Sequence, residues 1–277
     1  MSRIKGAFEK LAKNGEGAYI PYVCAGDPDK DFTVSLACKL LDAGADILEL
    51  GIPFSDPVAD GPVIQGAMQR SLEGGFKVND IFGMVESLRR EGYEQPIVLM
   101  TYSNPVLRIG IREFCSKASQ SGADAILMVD MPLEESRELD TDAEKHELDV
   151  IRMVSPSTTN RRMDEIISRS SGFIYAVSVA GVTGMRSNLS ESAKSLLGRV
   201  VRVSSLPVVL GFGISSPAHV ADAMQMGAKG VVEGSGLVSV YASVVGDRRR
   251  ALAGAVEHVA KMKVATYLAG APLPRDG

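Results

Sequence analysis

Tryptophan is absent from the 277 residues, and seven tyrosines and eight phenylalanines supply all the aromatic rings. Any tyrosine near the end of an apolar run therefore counts. Cysteine is nearly as scarce. Cys24, Cys38 and Cys115 are odd in number, far apart and outside any Cys-x-x-Cys pattern, which argues against a disulfide framework and a zinc site. That usage fits a reducing cytoplasm. The three histidines, His146, His219 and His258, fall in helical stretches without paired metal spacing or a Ser or Cys partner, so they receive no catalytic role. Charge of one sign is lacking too. A net charge of −4 speaks against nucleic acid or an anionic membrane as partner, and Arg248–Arg250 reads as a solvated helix face. No stretch approaches the ~20 apolar residues of a membrane span, and the first residues lack the apolar core of a signal peptide, so the expected location is cytoplasmic. Also missing are a Gly-x-x-x-x-Gly-Lys-Ser/Thr loop, a dinucleotide fingerprint after the first strand and a Schiff-base lysine in any strand run.

What is present is an ordinary globular mixture, 45% hydrophobic and 23% charged, in which short apolar runs alternate with longer amphipathic ones. Strands are expected at 18–24, 45–50, 96–101, 123–129, 148–154, 172–177, 206–210 and 230–233, and helices at 31–43, 78–91, 111–121, 161–170, 189–203 and 218–226. Glycines at Gly44, Gly122 and Gly227 stand where a helix C-terminus needs a left-handed residue. Eight such units predict an α/β fold, a (β/α)8 TIM barrel, with an open doubly wound sheet as the main rival. An extra N-terminal helix over 2–13, with Ile4, Phe8 and Leu11 on one face, is expected to plug the N-terminal side. A further helix over 63–72 precedes the one at 78–91, and the last helical region breaks at Gly246-Asp247. The expectation is a single barrel domain over 1–268, with a Gly/Pro-rich, disordered tail at 269–277.

Chemistry concentrates in Leu48-Glu49-Leu50-Gly51-Ile52-Pro53-Phe54-Ser55-Asp56-Pro57-Val58-Ala59-Asp60-Gly61-Pro62. Glu49 ends an apolar run on the same strand face as Ile47. The prolines and glycines then force a shaped loop that carries Asp56 and Asp60 back over the strand end. In a (β/α)8 barrel this is the catalytic rim. Phosphate binding is suggested by glycine-bearing loops 180–184, 211–215 and 234–236, the last opening a short helix near Ser235. Ordinary tight turns are the bland alternative. Tyr22, Tyr102 and Tyr175 fall at strand ends, with Met100, Leu127 and Phe212 able to complete an apolar wall.

The run from Leu48 to Pro62 resembles the signature of the tryptophan synthase alpha chain family. The likeness extends through Cys24-Ala25-Gly26-Asp27-Pro28, Met100-Thr101-Tyr102-Ser103-Asn104-Pro105, Asp130-Met131-Pro132-Leu133-Glu134-Glu135, Ser155-Pro156-Ser157-Thr158, Ala180-Gly181-Val182-Thr183-Gly184 and Gly211-Phe212-Gly213-Ile214-Ser215, and it ends at Gly234-Ser235. It implies retro-aldol cleavage of indole-3-glycerol phosphate to indole and glyceraldehyde 3-phosphate, without a metal and without a cofactor in this chain. Pyridoxal phosphate is expected in a partner beta chain, in an alpha2-beta2 assembly. By that resemblance Glu49 is the acid/base, Asp60 holds the indole N–H, and backbone groups at Gly184, Gly213, Gly234 and Ser235 bind phosphate. Thr183 meets Asp60 when the loops close, and Pro53, Asp56, Pro57, Asn104 and Pro132 face the beta chain. One departure is Val179, where the family often carries an arginine. Competing readings are another phosphate-binding barrel enzyme, a stand-alone indole-releasing lyase, and a silent barrel that activates a partner.

Overall fold

In the computed structural model, which describes residues 2–177 and 189–267, eight parallel strands close on themselves in sequence order. They are β1 (Ala18–Cys24), β2 (Leu48–Gly51), β3 (Ile97–Thr101), β4 (Ala125–Met128), β5 (Asp149–Val154), β6 (Ile174–Val177), β7 (Val208–Gly211) and β8 (Gly230–Glu233), with β8 pairing back onto β1. The surrounding helices are α1 (Arg3–Asn14), α2 (Lys30–Asp42), α3 (Pro62–Glu73), α4 (Asp80–Arg90), α5 (Ser103–Ile109), α6 (Ile111–Ser121), α7 (Arg137–Lys145), α8 (Asn160–Ser168), α9 (Glu191–Val203), α10 (Pro217–Gln225), α11 (Ser235–Ala242) and α12 (Arg248–Val264). This is the (β/α)8 barrel, and the doubly wound alternative is excluded by closure.

Register decides which side chains share the interior. Paired residues on neighbouring strands point the same way, so Tyr22, Glu49, Val98 and Ala125 form one inward row and Gly51, Met100 and Leu127 the row above it. On the far side Met153, Tyr175 and Val209 are level. Below them α1 lies across the N-terminal end with Ile4, Phe8 and Leu11 buried, and Phe8 meets Phe173 edge-on at 5.9 Å between centroids. Ser2 donates to Asp149 (2.5 Å), and Arg3 pairs with Asp124 (3.1 Å), tying the plug to β4 and β5. The three helix-ending glycines all have positive φ, at 103°, 94° and 94°.

Differences from expectation are local. Helices α5 and α7 were not foreseen: α5 is seven residues long and holds Pro105, while α7 buries only Leu139, Asp142 and Ala143, too thin an apolar stripe to read. β2 and β7 begin later than expected, at Leu48 and Val208, and each ends one residue further on, at Gly51 and Gly211, while Pro62 opens α3 rather than closing the loop. Position 268 and the tail at 269–277 lie outside the described residues.

Candidate active site

Glu49 stands on β2 with 1% of its surface exposed, and its Oε2 has no hydrogen-bond partner among the described residues. A buried, unpartnered carboxyl oxygen is costly when charged. Burial, and secondarily the nearby Asp60 charge, raise the Glu49 carboxyl from its ordinary 4.5 to about 8, so at neutral pH it carries a proton. Asp60 is half-buried just before α3. Burial raises it too, but Tyr102 opposes the shift by donating from its hydroxyl to Oδ2 at 2.6 Å. That hydroxyl also accepts from the Ala59 N–H (3.0 Å), while Gln65 Nε2 donates to the Asp60 carbonyl (2.7 Å). Two adjacent acids thus differ in environment: one is fully buried with an oxygen unpartnered among the described residues, the other is bound by a phenol.

Two inward glycines give the tyrosines their room. A Cβ on Gly51 would stand 2.2 Å from the Tyr22 hydroxyl, and one on Gly211 would stand 2.2 Å from Cε1 of Tyr175. Each ring therefore lies over the glycine that ends the next strand, and any larger residue there would displace it. Both phenols are held well above their ordinary pKa, by burial first; the charges of Glu49 and Asp60 add to this at Tyr175, and Tyr22 also feels both acids. The Tyr22 hydroxyl, like Glu49 Oε2, is buried without a partner among the described residues.

The candidate anion loops lie at the tops of β7 and β8. Gly213 has φ 80°, which glycine adopts freely, and Phe212 before it holds φ 67°, a strained value for a bulky residue. Gly234 caps α11, whose first residue is Ser235. A methyl at Gly234 would meet Tyr22 Cβ at 4.0 Å and Ile64 Cδ1 at 3.8 Å, so this loop borders both the tyrosine beside Glu49 and the helix that follows Asp60.

The structure brings together Glu49, Asp60, Tyr22, Tyr102 and Tyr175, aligns Met100 and Leu127 in the row above Glu49, and sets Phe212, Gly213, Gly234 and Ser235 on neighbouring strand ends. Thr183, Gly184 and Val179 lie outside the described residues. Of the candidate partner-facing residues, Asp56, Asn104 and Pro132 are exposed, Pro57 is half-buried and Pro53 is buried within the chain. Sequence reasoning missed the clamp by which Tyr102 holds both Asp60 and Ala59; the only signal was a tyrosine directly after a strand. It also missed Asp130, whose carboxylate accepts from the Ser103 N–H (2.7 Å) and hydroxyl (2.8 Å), joining the loops after β3 and β4. Among the described residues no group of three or more His, Cys, Asp or Glu is placed to hold a metal ion, and no helix is long and apolar enough to cross a membrane.

A family model described as tryptophan synthase alpha chain matches residues 8–267. The alpha chain of Methanoregula boonei is 45% identical over 247 residues, covering 89% of this chain and 92% of that one. The solved alpha subunit of Legionella pneumophila superposes with a TM-score of 0.89 at 36% identity, covering 96% of this chain and 98% of its own. A chain of the tryptophan synthase complex from Pyrococcus furiosus superposes with a TM-score of 0.82 at 38% identity, covering 90% and 98%.

Proposed function

Because this chain belongs to the tryptophan synthase alpha chain family, a lyase of L-tryptophan biosynthesis that cleaves indole-3-glycerol phosphate, we propose that Glu49 and Asp60 divide the chemistry of that cleavage between them. The neutral Glu49 carboxyl donates its proton to indole C3. The ring becomes a cation, and the bond from C3 to the carbinol carbon can break with its electrons returning to the ring. The carbinol hydroxyl then loses its proton to the Glu49 carboxylate, giving the aldehyde of glyceraldehyde 3-phosphate and restoring the acid. Asp60 accepts the indole N–H and stabilises the cation.

The observation that carries this reading is Glu49 itself: a buried carboxyl on the inner face of β2, at the catalytic end, with an oxygen that has no partner among the described residues. The apolar wall of Met100, Leu127 and Phe212, with Tyr22, Tyr102 and Tyr175, suits a flat ring. Gly213, Gly234 and Ser235 offer backbone N–H groups to the phosphate, and Gly184 and Thr183 complete the set by resemblance.

The partner is the tryptophan synthase beta chain, in an alpha2-beta2 arrangement, with pyridoxal phosphate held by the beta chain and none in this one. Supporting that docking side, Val58 in the loop after β2 is 85% exposed and Leu107 on α5 is 56% exposed, both in connections at the catalytic end with Asp56, Pro57, Asn104 and Pro132. Pro53 would act from beneath, by shaping the loop. Three free thiols, two of them buried, suit a reducing cytoplasm.

The test is indole release from indole-3-glycerol phosphate. Glu49→Gln should lower kcat by about 10³-fold or more while leaving substrate binding within a few-fold, and Asp60→Asn should lower kcat by about 10²-fold or more. A Glu49→Gln enzyme with near wild-type turnover would remove Glu49 from the reaction, and an Asp60→Asn enzyme changed only in KM would make Asp60 a binding residue.

A further inference from the structure

Glu233, the last residue of β8, points away from the barrel interior and is wholly buried, one residue before Gly234. A buried carboxylate needs partners. Tyr19 on β1, itself fully buried, donates its hydroxyl to Oε2 at 2.5 Å, and His258 Nε2 on α12 meets Oε1 at 2.8 Å. The same Oε1 presses on the first turn of α11: a Cβ at Gly236 would fall 2.1 Å from it. The carboxylate is thus wedged between β1, α12 and the opening of α11. Strand pairing alone fixes β8 only as far as Glu233, opposite Pro21 of β1, which as proline has no N–H to donate. Beyond that point the chain leaves the sheet and opens α11, with Val238 N–H bonded to the Gly234 carbonyl (3.0 Å) and the Glu233 carboxylate wedged directly against Gly236.

We propose that Tyr19, Glu233 and His258 form a positioning cluster that holds the Gly234–Ser235–Gly236 turn in the shape that grips the substrate's phosphate. This rests on the reading of Gly234 and Ser235 as phosphate ligands. Glu233 touches no reacting atom and works through the turn. Removing the donor at His258 leaves a buried carboxylate with a single partner, free to shift against Gly236 and to drag the helix opening with it. The effect belongs to the phosphate end of the substrate, because Glu233 faces outward while Glu49 and Asp60 serve the ring.

The experiment measures, on the full chain, calorimetric binding of sn-glycerol 3-phosphate and of indole to wild type, His258→Leu, His258→Gln and Tyr19→Phe, together with KM and kcat for indole-3-glycerol phosphate. His258 is partly exposed, so its variants should fold. His258→Leu should weaken glycerol 3-phosphate about tenfold, the size of one lost hydrogen bond to a charged group. Its indole affinity should stay within about twofold, and the kinetic loss should fall in KM rather than kcat. His258→Gln, which keeps a donor, should recover most of the loss, and Tyr19→Phe should behave like His258→Leu. Unchanged glycerol 3-phosphate affinity in both His258→Leu and Tyr19→Phe would overturn the inference while leaving the phosphate site intact. Parallel weakening of both ligands would also overturn it, as general loosening. Wild type that binds indole but no glycerol 3-phosphate would overturn the phosphate reading and this inference with it.

Discussion

Glu49 keeps a proton that the unfolded chain would release, because burial and the Asp60 charge raise its pKa from 4.5 to about 8. The folded state therefore binds more protons than the unfolded state between those values. This group's contribution to stability is fully present below about pH 4.5 and is lost as pH rises through about 8. Glu49→Gln removes the dependence. Urea unfolding of wild type should weaken between about pH 5 and about pH 9 by a few kcal/mol more than that of the variant, and parallel curves would show an ordinary carboxylate. Turnover should follow the same proton, falling above about pH 8 as the acid form disappears. Tyr102 acts on the other acid. Tyr102→Phe deletes the donor to Asp60 and the acceptor for Ala59, so the Asp60 pKa should rise further, and kcat/KM should drop roughly ten- to a hundredfold. A silent Tyr102→Phe would mean that the Asp60 loop is held by other contacts.

At the scale of the element, helices do two jobs. α1 closes the barrel floor, and Phe8→Ala should cost about 3–5 kcal/mol in unfolding free energy while leaving the kcat of the folded enzyme unchanged. α3 and α11 bracket the candidate active site and meet at Asp27: Arg70 of α3 makes two 2.8 Å bonds to its carboxylate and Tyr241 of α11 donates at 3.1 Å. Arg70→Met strips a fully buried charge of its cation and should destabilise by about 3 kcal/mol, measurable by thermal unfolding. Elements with a strong period were legible in the sequence: β1, β8 and α6 begin and end where the apolar pattern does. α7 was not, because its helix is charged almost all round, and α5 was not, because Asn104-Pro105 reads as a turn. Glu49 and Asp60 were legible from their place after an apolar run and within a proline-stiffened loop. The Tyr102 clamp and the Tyr19–Glu233–His258 cluster were not, since they join side chains 25 to 214 positions apart in the chain.

As a whole, the molecule separates stability from chemistry along the barrel axis. Its floor is closed by α1 and the Asp124 and Asp149 contacts, while its mouth gathers two acids, three phenols and the glycine loops of β7 and β8. The mouth also carries the exposed Val58 and Leu107, so the proposed substrate site adjoins the surface proposed to dock a partner. Adding beta chain should therefore speed indole release by the isolated chain, by closing the loop after β2 that carries Asp60; equal rates would separate docking from catalysis. The central claim is that a buried, neutral Glu49 is the acid of this reaction. Infrared titration of its carboxyl C=O stretch, assigned by loss of the band in Glu49→Gln, tests it most directly. The protonated band should persist at neutral pH, with a midpoint near 8 that moves down in Asp60→Asn; a midpoint near 4.5 would rule out Glu49 as the acid.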